Sequence, residues 1–405
     1  MIAPSSHDAS AAGGEDRHAA RRQLALLFAA FLPLFVGPGA LQLHLSDLYR
    51  LSGRVVISKT AFLAISYGSM GVSRLLVGWT VRWVGDRAAL IIGAGGYALF
   101  AIAQWPGLNR WWLVVVAMAF GFGGTWVWLV GGATVLDLSR RAAFGRGVGI
   151  LYGCSAFAQG VGVLVLGLLI TNGHPRTAVV LAAGWGLMAV AVFALRRPAA
   201  VKRAPPSAAA LLRFAADRRL IIVGVFLMVG SLPFGLILGA FRDHVHGLGA
   251  PVWLVVPCFF LARAGLAVTG GQVVDRLGRG RTLAIAFAIG AAALFAVPWM
   301  EATAGLAVAA LMMGLEMSLI PVAGTALVGD ITSSPDRPMA LGVLFFWRDA
   351  GAVTGLLGGA ALAAHLGPGG RGFPVFAAVL AVFALLSLTL SRWAGRPVGG
   401  KGTAA

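Results

Sequence analysis

Apolar residues run through this chain in long blocks, not in alternation with polar ones. Blocks of about 20 residues fall near 23–45, 55–78, 88–106, 111–135, 147–170 and 177–195, and again near 220–241, 252–271, 282–299, 302–327, 339–362 and 372–392. Each is long enough to cross a hydrocarbon layer about 30 Å thick. No period-two pattern of a barrel strand is visible. In lipid, every backbone polar group has to be paired within its own segment, so each block is predicted to be a helix. Pro298 and the polar Glu301 divide residues 282–327 into two blocks, which makes twelve spans. The pattern predicts an all-α polytopic membrane protein.

Composition agrees with that pattern. Of 405 residues, 59% are hydrophobic and 11% charged, against roughly 25% charged in soluble domains. The formal net charge of +18 raises the question of nucleic acid. The basic residues form no contiguous domain, however. They sit in the connections between blocks, as topological signals do, and no nucleic-acid partner is expected. Cys154 and Cys258 lie inside apolar blocks and read as small buried hydrophobes. The polar segment 1–22 lacks the order of a cleaved signal peptide and is expected to be disordered.

The connections sort by charge. With the N-terminus inside, the connections on that side hold roughly three times as many Lys and Arg as those on the other, which predicts both termini in the cytoplasm. The one long connection, residues 196–219, is rich in Pro, Ala and Arg and reads as a cytoplasmic linker. It separates an N-terminal six-helix unit, 23–195, from a C-terminal one, 220–392. A cytoplasmic tail, 393–405, follows.

The two units repeat. Gly78 and Gly271, Gly85 and Gly278, Asp137 and Asp330, and Gly149 and Gly342 are all separated by the same 193 positions. Glycine is common here, but aspartate is rare, so the Asp pair carries most of the weight. Two six-span units that start on the same side are parallel repeats about an axis along the membrane normal.

The stretch GQVVDRLGRGR, 271–281, sets four charges in a tight turn between two apolar blocks. Gly271 permits close helix approach and Gly278 permits chain reversal. Asp275 sits at a helix end, while Arg276, Arg279 and Arg281 suit the inner headgroups. This Gly-x-x-x-Asp-Arg-x-Gly-Arg-x-Arg pattern resembles the signature loop of the major facilitator superfamily. The resemblance implies a fold of two pseudo-symmetric six-helix bundles, and a loop that latches the halves in the outward-open state. In the first-half copy Gly78 and Gly85 remain, but Arg82 stands where the pattern has Asp, and Asp86 and Arg87 follow. That departure places the larger share of gating on Asp275. Asp137 ahead of Arg146, and Asp330 ahead of Arg337, also resemble family contacts at the cytoplasmic face.

Ionisable groups at mid-depth are costly and mark function. Arg263, Glu316, Arg348 and Asp349 all fall near the middle of spans in the second half. Two arginines there suit a carboxylate or other anion, and Glu316 and Asp349 are the candidate proton carriers. Such a pair of cations is similar in placement to the carboxylate-transporting branches of the superfamily. Arg74, near the inner end of its span, reads as structural. In the first half, Tyr67, Trp126 and Gln159 are candidates for the cavity wall. His44 and Asp47 suit an outer gate or an interface. His244 and His246, beside Asp243, lie too far out to read as a metal site.

These features predict a secondary active transporter that works by alternating access, is coupled to protons, and carries a small organic anion. No cofactor, metal or catalytic group is expected; the chain is expected to be monomeric in a plasma or inner membrane. No phosphate-binding GxxxxGK[ST] pattern occurs. Proton-antiport efflux of amphipathic compounds is the main alternative, weakened because span five has glycines but no proline. A non-transporting membrane sensor or scaffold is the other.

Overall fold

The computed structural model describes residues 6–52, 57–105, 109–138, 144–196, 207–267, 269–331, 337–367 and 370–394. The first half comprises α1 (Ser6–Val36), α2 (Pro38–Leu41), α3 (Leu45–Ser52), α4 (Lys59–Val84), α5 (Asp86–Ala103), α6 (Arg110–Leu138), α7 (Phe144–Thr171) and α8 (Pro175–Ala194). A short helix, α9 (Ala208–Ala216), lies in the connection. The second half comprises α10 (Arg218–Gly230), α11 (Leu232–Leu238), α12 (Ala240–Gly247), α13 (Val252–Ala267), α14 (Gly270–Leu277), α15 (Arg279–Ala296), α16 (Thr303–Ile331), α17 (Arg337–Leu366) and α18 (Phe373–Ala394).

Ten stretches are long and apolar enough to cross a bilayer, and two shorter apolar helices, Val252–Ala267 and Phe373–Thr389, complete the set. The described helices therefore make twelve crossings, and the start of α1 and the end of α18 fall on one face, here called the terminal face. α1 begins at Ser6, inside the segment expected to be disordered. Its alanines, arginines and glutamate are good helix formers, which the count of polar residues alone does not register.

The first and seventh spans are broken. α1 stops at Val36 because Pro38 has no N–H to donate and disfavours helical geometry at the residue before it. α10 stops at Gly230, which is 193 positions after Gly37, and Pro233 follows within the first turn of α11. Asp217 starts α10, its side chain accepting the Arg219 N–H at 2.8 Å.

The repeat also governs the packing. A Cβ on Gly121 of α6 would lie 2.2 Å from the Ser66 carbonyl of α4; one on Gly314 of α16 would lie 2.1 Å from the Phe259 carbonyl of α13. Both glycines and both carbonyl-bearing residues are related by 193. Gly85 and Gly278 likewise turn the chain into α5 and α15 at φ of 80° and 78°, where any side chain would be strained. The halves meet along α4 against α17 and α7 against α13. This is the twelve-helix, two-bundle fold expected from the repeat.

Candidate substrate site

α17 carries Arg348 and Asp349 about 18 Å along its length. Gly71 of α4 leaves room for this part of α17, so that the place of its Cβ lies 3.8 Å from the Asp349 Cβ. Arg74, one turn further along α4, can then reach Asp349. Its Nε donates to Oδ2 in a short contact, and its Nη2 lies 3.4 Å from Oδ1. Arg348 donates to the same Oδ1 from Nη2 at 3.0 Å and from Nε at 3.2 Å. Both guanidiniums also lie over the Phe345 ring, at 5.3 Å and 4.9 Å from its centroid. Arg74 is 1% exposed, and its Nη1 is buried with no hydrogen-bond partner among the described residues. The residue read as structural is therefore part of the central charge cluster and ties the first half to the second.

Arg263 is half-buried on α13. Among the described residues its guanidinium makes no ion pair or hydrogen bond. Its electrostatic neighbours are another cation, Arg348, and the phenols of Tyr152 and Tyr67. Its backbone carbonyl accepts the Ser318 hydroxyl of α16 at 3.1 Å.

The first half supplies a polar wall. α2 gives way to a 3-10 turn at Gln42–His44, and the Gly39 carbonyl before it accepts the amides of Gln42 and Gln159, each at 2.8 Å. The Tyr67 hydroxyl donates to Gln42 Oε1 at 3.0 Å, and its ring meets Phe234 of α11 edge-on at 5.6 Å. Tyr152 stacks on Trp128 at 4.9 Å. The structure thus brings Tyr67 and Gln159 together. Trp126 lies elsewhere: its indole N–H donates to Thr80 at 3.1 Å, and its Cβ borders Gly93 of α5.

Glu316 also stands apart from the arginines. It is 0% exposed, both carboxyl oxygens lack a partner among the described residues, and its Cγ lies 3.0 Å from where a Gly290 Cβ would be. Helical geometry accounts for this. Ser318 faces α13, and a residue two positions away points about 200° around the helix, here toward α15 and α18.

On the face opposite the termini, ion pairs join the first two spans to the seventh. Asp47 pairs with Arg50 at 2.8 Å and, in a short contact, with Arg242. Lys59 pairs with Asp243 at 2.8 Å, Arg242 donates to the Leu43 carbonyl at 2.6 Å, and Arg50 meets His246. The charge pattern of the connections does not reveal these pairs, because the partners lie nearly 200 positions away or on a neighbouring turn. A cavity of about 430 Å³ opens at the same face, between Thr60 and the ends of α12 and α17.

At the terminal face, Arg87 donates to the Ala194 carbonyl at the end of α8, inside the first half. Arg82, Arg276 and Arg281 are exposed, Asp86 and Arg279 are half-buried, and Asp137 is exposed. Gly78 ends no helix and stays within α4. The Gly271 and Asp275 environments, and the side chains of Arg146, Asp330 and Arg337, lie outside the described residues.

Two six-helix bundles around charged groups at mid-depth define a membrane transporter. The family model of the Major Facilitator Superfamily matches residues 23–304, and the chain belongs to that superfamily. Multidrug resistance protein 1 of Bacillus subtilis (strain 168) is 27% identical over 168 residues, which cover 41% of this chain and 42% of that protein. The match thus spans about two fifths of that relative's length. A crystal structure of a point mutant of the nucleoside transporter NupG superposes with a TM-score of 0.68 at 15% identity, covering 93% of this chain and all of that one. At that identity the likeness concerns the fold.

Proposed function

We propose that the chain is a secondary active transporter of a small organic anion, coupled to protons. The observation that carries this reading is Arg263, a guanidinium at mid-depth with a cation for a neighbour and no counter-ion among the described residues. An ionised group at membrane depth without a partner is costly, and an anionic cargo supplies the missing charge. Arg348 is the second cation; Tyr67 and Gln159 form the opposing wall. A proton on Asp349 would release Arg74 and Arg348 together, linking proton uptake to the contact between halves. Glu316 is assigned the second proton-carrying position, within the C-terminal bundle.

The moving bodies in this reading are residues 23–195 and 220–392, joined by the linker 196–219, with rocking about the central site giving alternating access. Both termini are placed in the cytoplasm, and the protein acts as a monomer. Asp275 with Arg276, Arg279 and Arg281, and Asp330 with Arg337, are assigned to the cytoplasmic gate. The Asp47–Arg242 and Lys59–Asp243 pairs are assigned to the outer one.

Flux in proteoliposomes tests the transport. An inward proton gradient is expected to drive uptake of a carboxylate probe, and Arg263→Ala to reduce it at least about tenfold. Equal flux in that variant would end the anion reading. The multidrug relative favours a second reading, efflux of amphipathic compounds by proton antiport. In that case dye extrusion would survive Arg263→Ala. Absence of any flux would leave a sensor or scaffold.

Labelling tests orientation and gate together. In a version with Cys154 and Cys258 replaced, a membrane-impermeant maleimide applied to intact cells is expected to label Leu248→Cys. Leu43→Cys, buried under Arg242, is expected to react only when Arg242→Ala is also present. Labelling of Leu248→Cys from the cytoplasm alone would reverse the topology; an unreactive Leu43→Cys in the Arg242→Ala background would remove the gate.

A further inference from the structure

The central cluster has a charge count that narrows the cargo. Arg348 of α17 shares Asp349 with Arg74 of α4 and is the cationic neighbour of Arg263 of α13, so three guanidiniums are grouped about Arg348, and arginine stays protonated in proteins. Asp349 is the carboxylate that meets Arg74 and Arg348. It already accepts four hydrogen bonds, three of them crowded on Oδ1, which is about the full capacity of a carboxylate. Arg263 makes no bond to it. Glu316, the other acid at mid-depth, points about 200° away around α16 and packs against Gly290 of α15. The acids at the far face, Asp47 and Asp243, are held by Arg242, Arg50 and Lys59.

Three positive charges against one negative leave a net charge of two. Hydrogen-bond donors are in excess as well. Arg74 Nη1 is buried without an acceptor, and the side-chain donors of Arg263 have none among the described residues. The groups around them are the hydroxyls of Tyr67 and Tyr152 and the ring of Phe345. They can share hydrogen bonds or a π-face, but they carry no charge.

We propose that the cargo of this site is a dianion, a small molecule whose two negative charges balance the net charge of two that Arg263, Arg348 and Arg74 leave around Asp349. The inference rests on the anion reading above and narrows it. A monoanion would leave one guanidinium uncompensated in a low-dielectric setting, where an unpaired charge is costly. A dianion closes the count and supplies acceptors for the donors that lack them. A dicarboxylate and a doubly ionised phosphoryl group share this chemistry.

Matched pairs of probes that differ by one charge provide the test. Phenylphosphonate and benzenesulfonate, at mildly alkaline pH, have nearly the same shape and carry two charges and one. Succinate and butyrate form a second pair of equal chain length. Binding to the purified full chain would be read by thermal stabilisation over a concentration series. The dianion of at least one pair is expected to bind about tenfold more tightly than its monoanionic match, a difference of about 1.4 kcal/mol. Which pair responds tells a phosphoryl cargo from a dicarboxylate. Arg263→Gln is expected to bring that ratio close to one, and Arg263→Lys to restore it. The Gln variant removes no existing pair, so the fold has no partner to lose. Equal binding within both pairs, or a ratio unchanged by Arg263→Gln, overturns the dianion while leaving an anion transporter standing. If none of the four probes binds, the anion reading falls, and this inference with it.

Discussion

Asp349→Asn is expected to destabilise the protein by about 3–5 kcal/mol, as removing one member of a buried ion pair does elsewhere. The carboxylate is the shared counter-ion of Arg74 and Arg348, and Arg74 is 1% exposed. An amide keeps the shape but not the charge, so two guanidiniums would remain in the interior against one neutral acceptor. Unfolding of the purified protein in detergent measures the loss. Arg74→Met added to Asp349→Asn should recover part of it, because it removes one orphaned charge and keeps an apolar stem of similar length. An Asp349→Asn variant that melts with the wild type would show that the pair contributes nothing, and the central position given to Asp349 would have to be abandoned.

The second large effect is steric. Gly314→Val, on α16, is expected to prevent recovery of monodisperse protein, and Gly121→Val on α6 to do the same. In each case the new Cβ would fall 2.1–2.2 Å from a carbonyl oxygen of the facing helix, and a backbone carbonyl cannot rotate away as a side chain can. The helices would have to part by about 1 Å, breaking the close packing on which bundles in lipid depend. Overpacking of this kind costs about 1–3 kcal/mol or more. Gly132→Val on the same helix as Gly121 is the control, since a Cβ there meets nothing within 4 Å. Fluorescence-detected gel filtration compares the three. Normal profiles for Gly121→Val and Gly314→Val would contradict the close crossings.

The sequence made the spans legible because each apolar block has to pair its own backbone in lipid. It made the repeat legible because rare aspartates recur at one spacing. Gly121 and Gly314, which embody the repeat in the packing, obey that spacing too, yet only the facing carbonyls of Ser66 and Phe259 give them meaning. The mid-depth charges were found by their scarcity, but their grouping was not. Arg263, Glu316, Arg348 and Asp349 share a depth; rotation about the helix axis separates Glu316 from the rest, and that angle follows only once Ser318 is known to face Arg263. Arg74 was set aside for its nearness to the span end, because its partner lies 275 positions away. Trp126 was chosen for its residue type, which does not say which neighbouring helix it faces.

The kink at Gly37–Leu41 has a bearing on how this protein should be dissected. Where its last turn passes into the 3-10 turn Gln42–His44, the oxygen of Gly39 becomes the acceptor on which Gln42 and Gln159 converge. No codon change deletes a peptide oxygen. A scan of side chains across this region would therefore report Gln42 and Gln159 as isolated sensitive positions and pass silently over the atom that connects them.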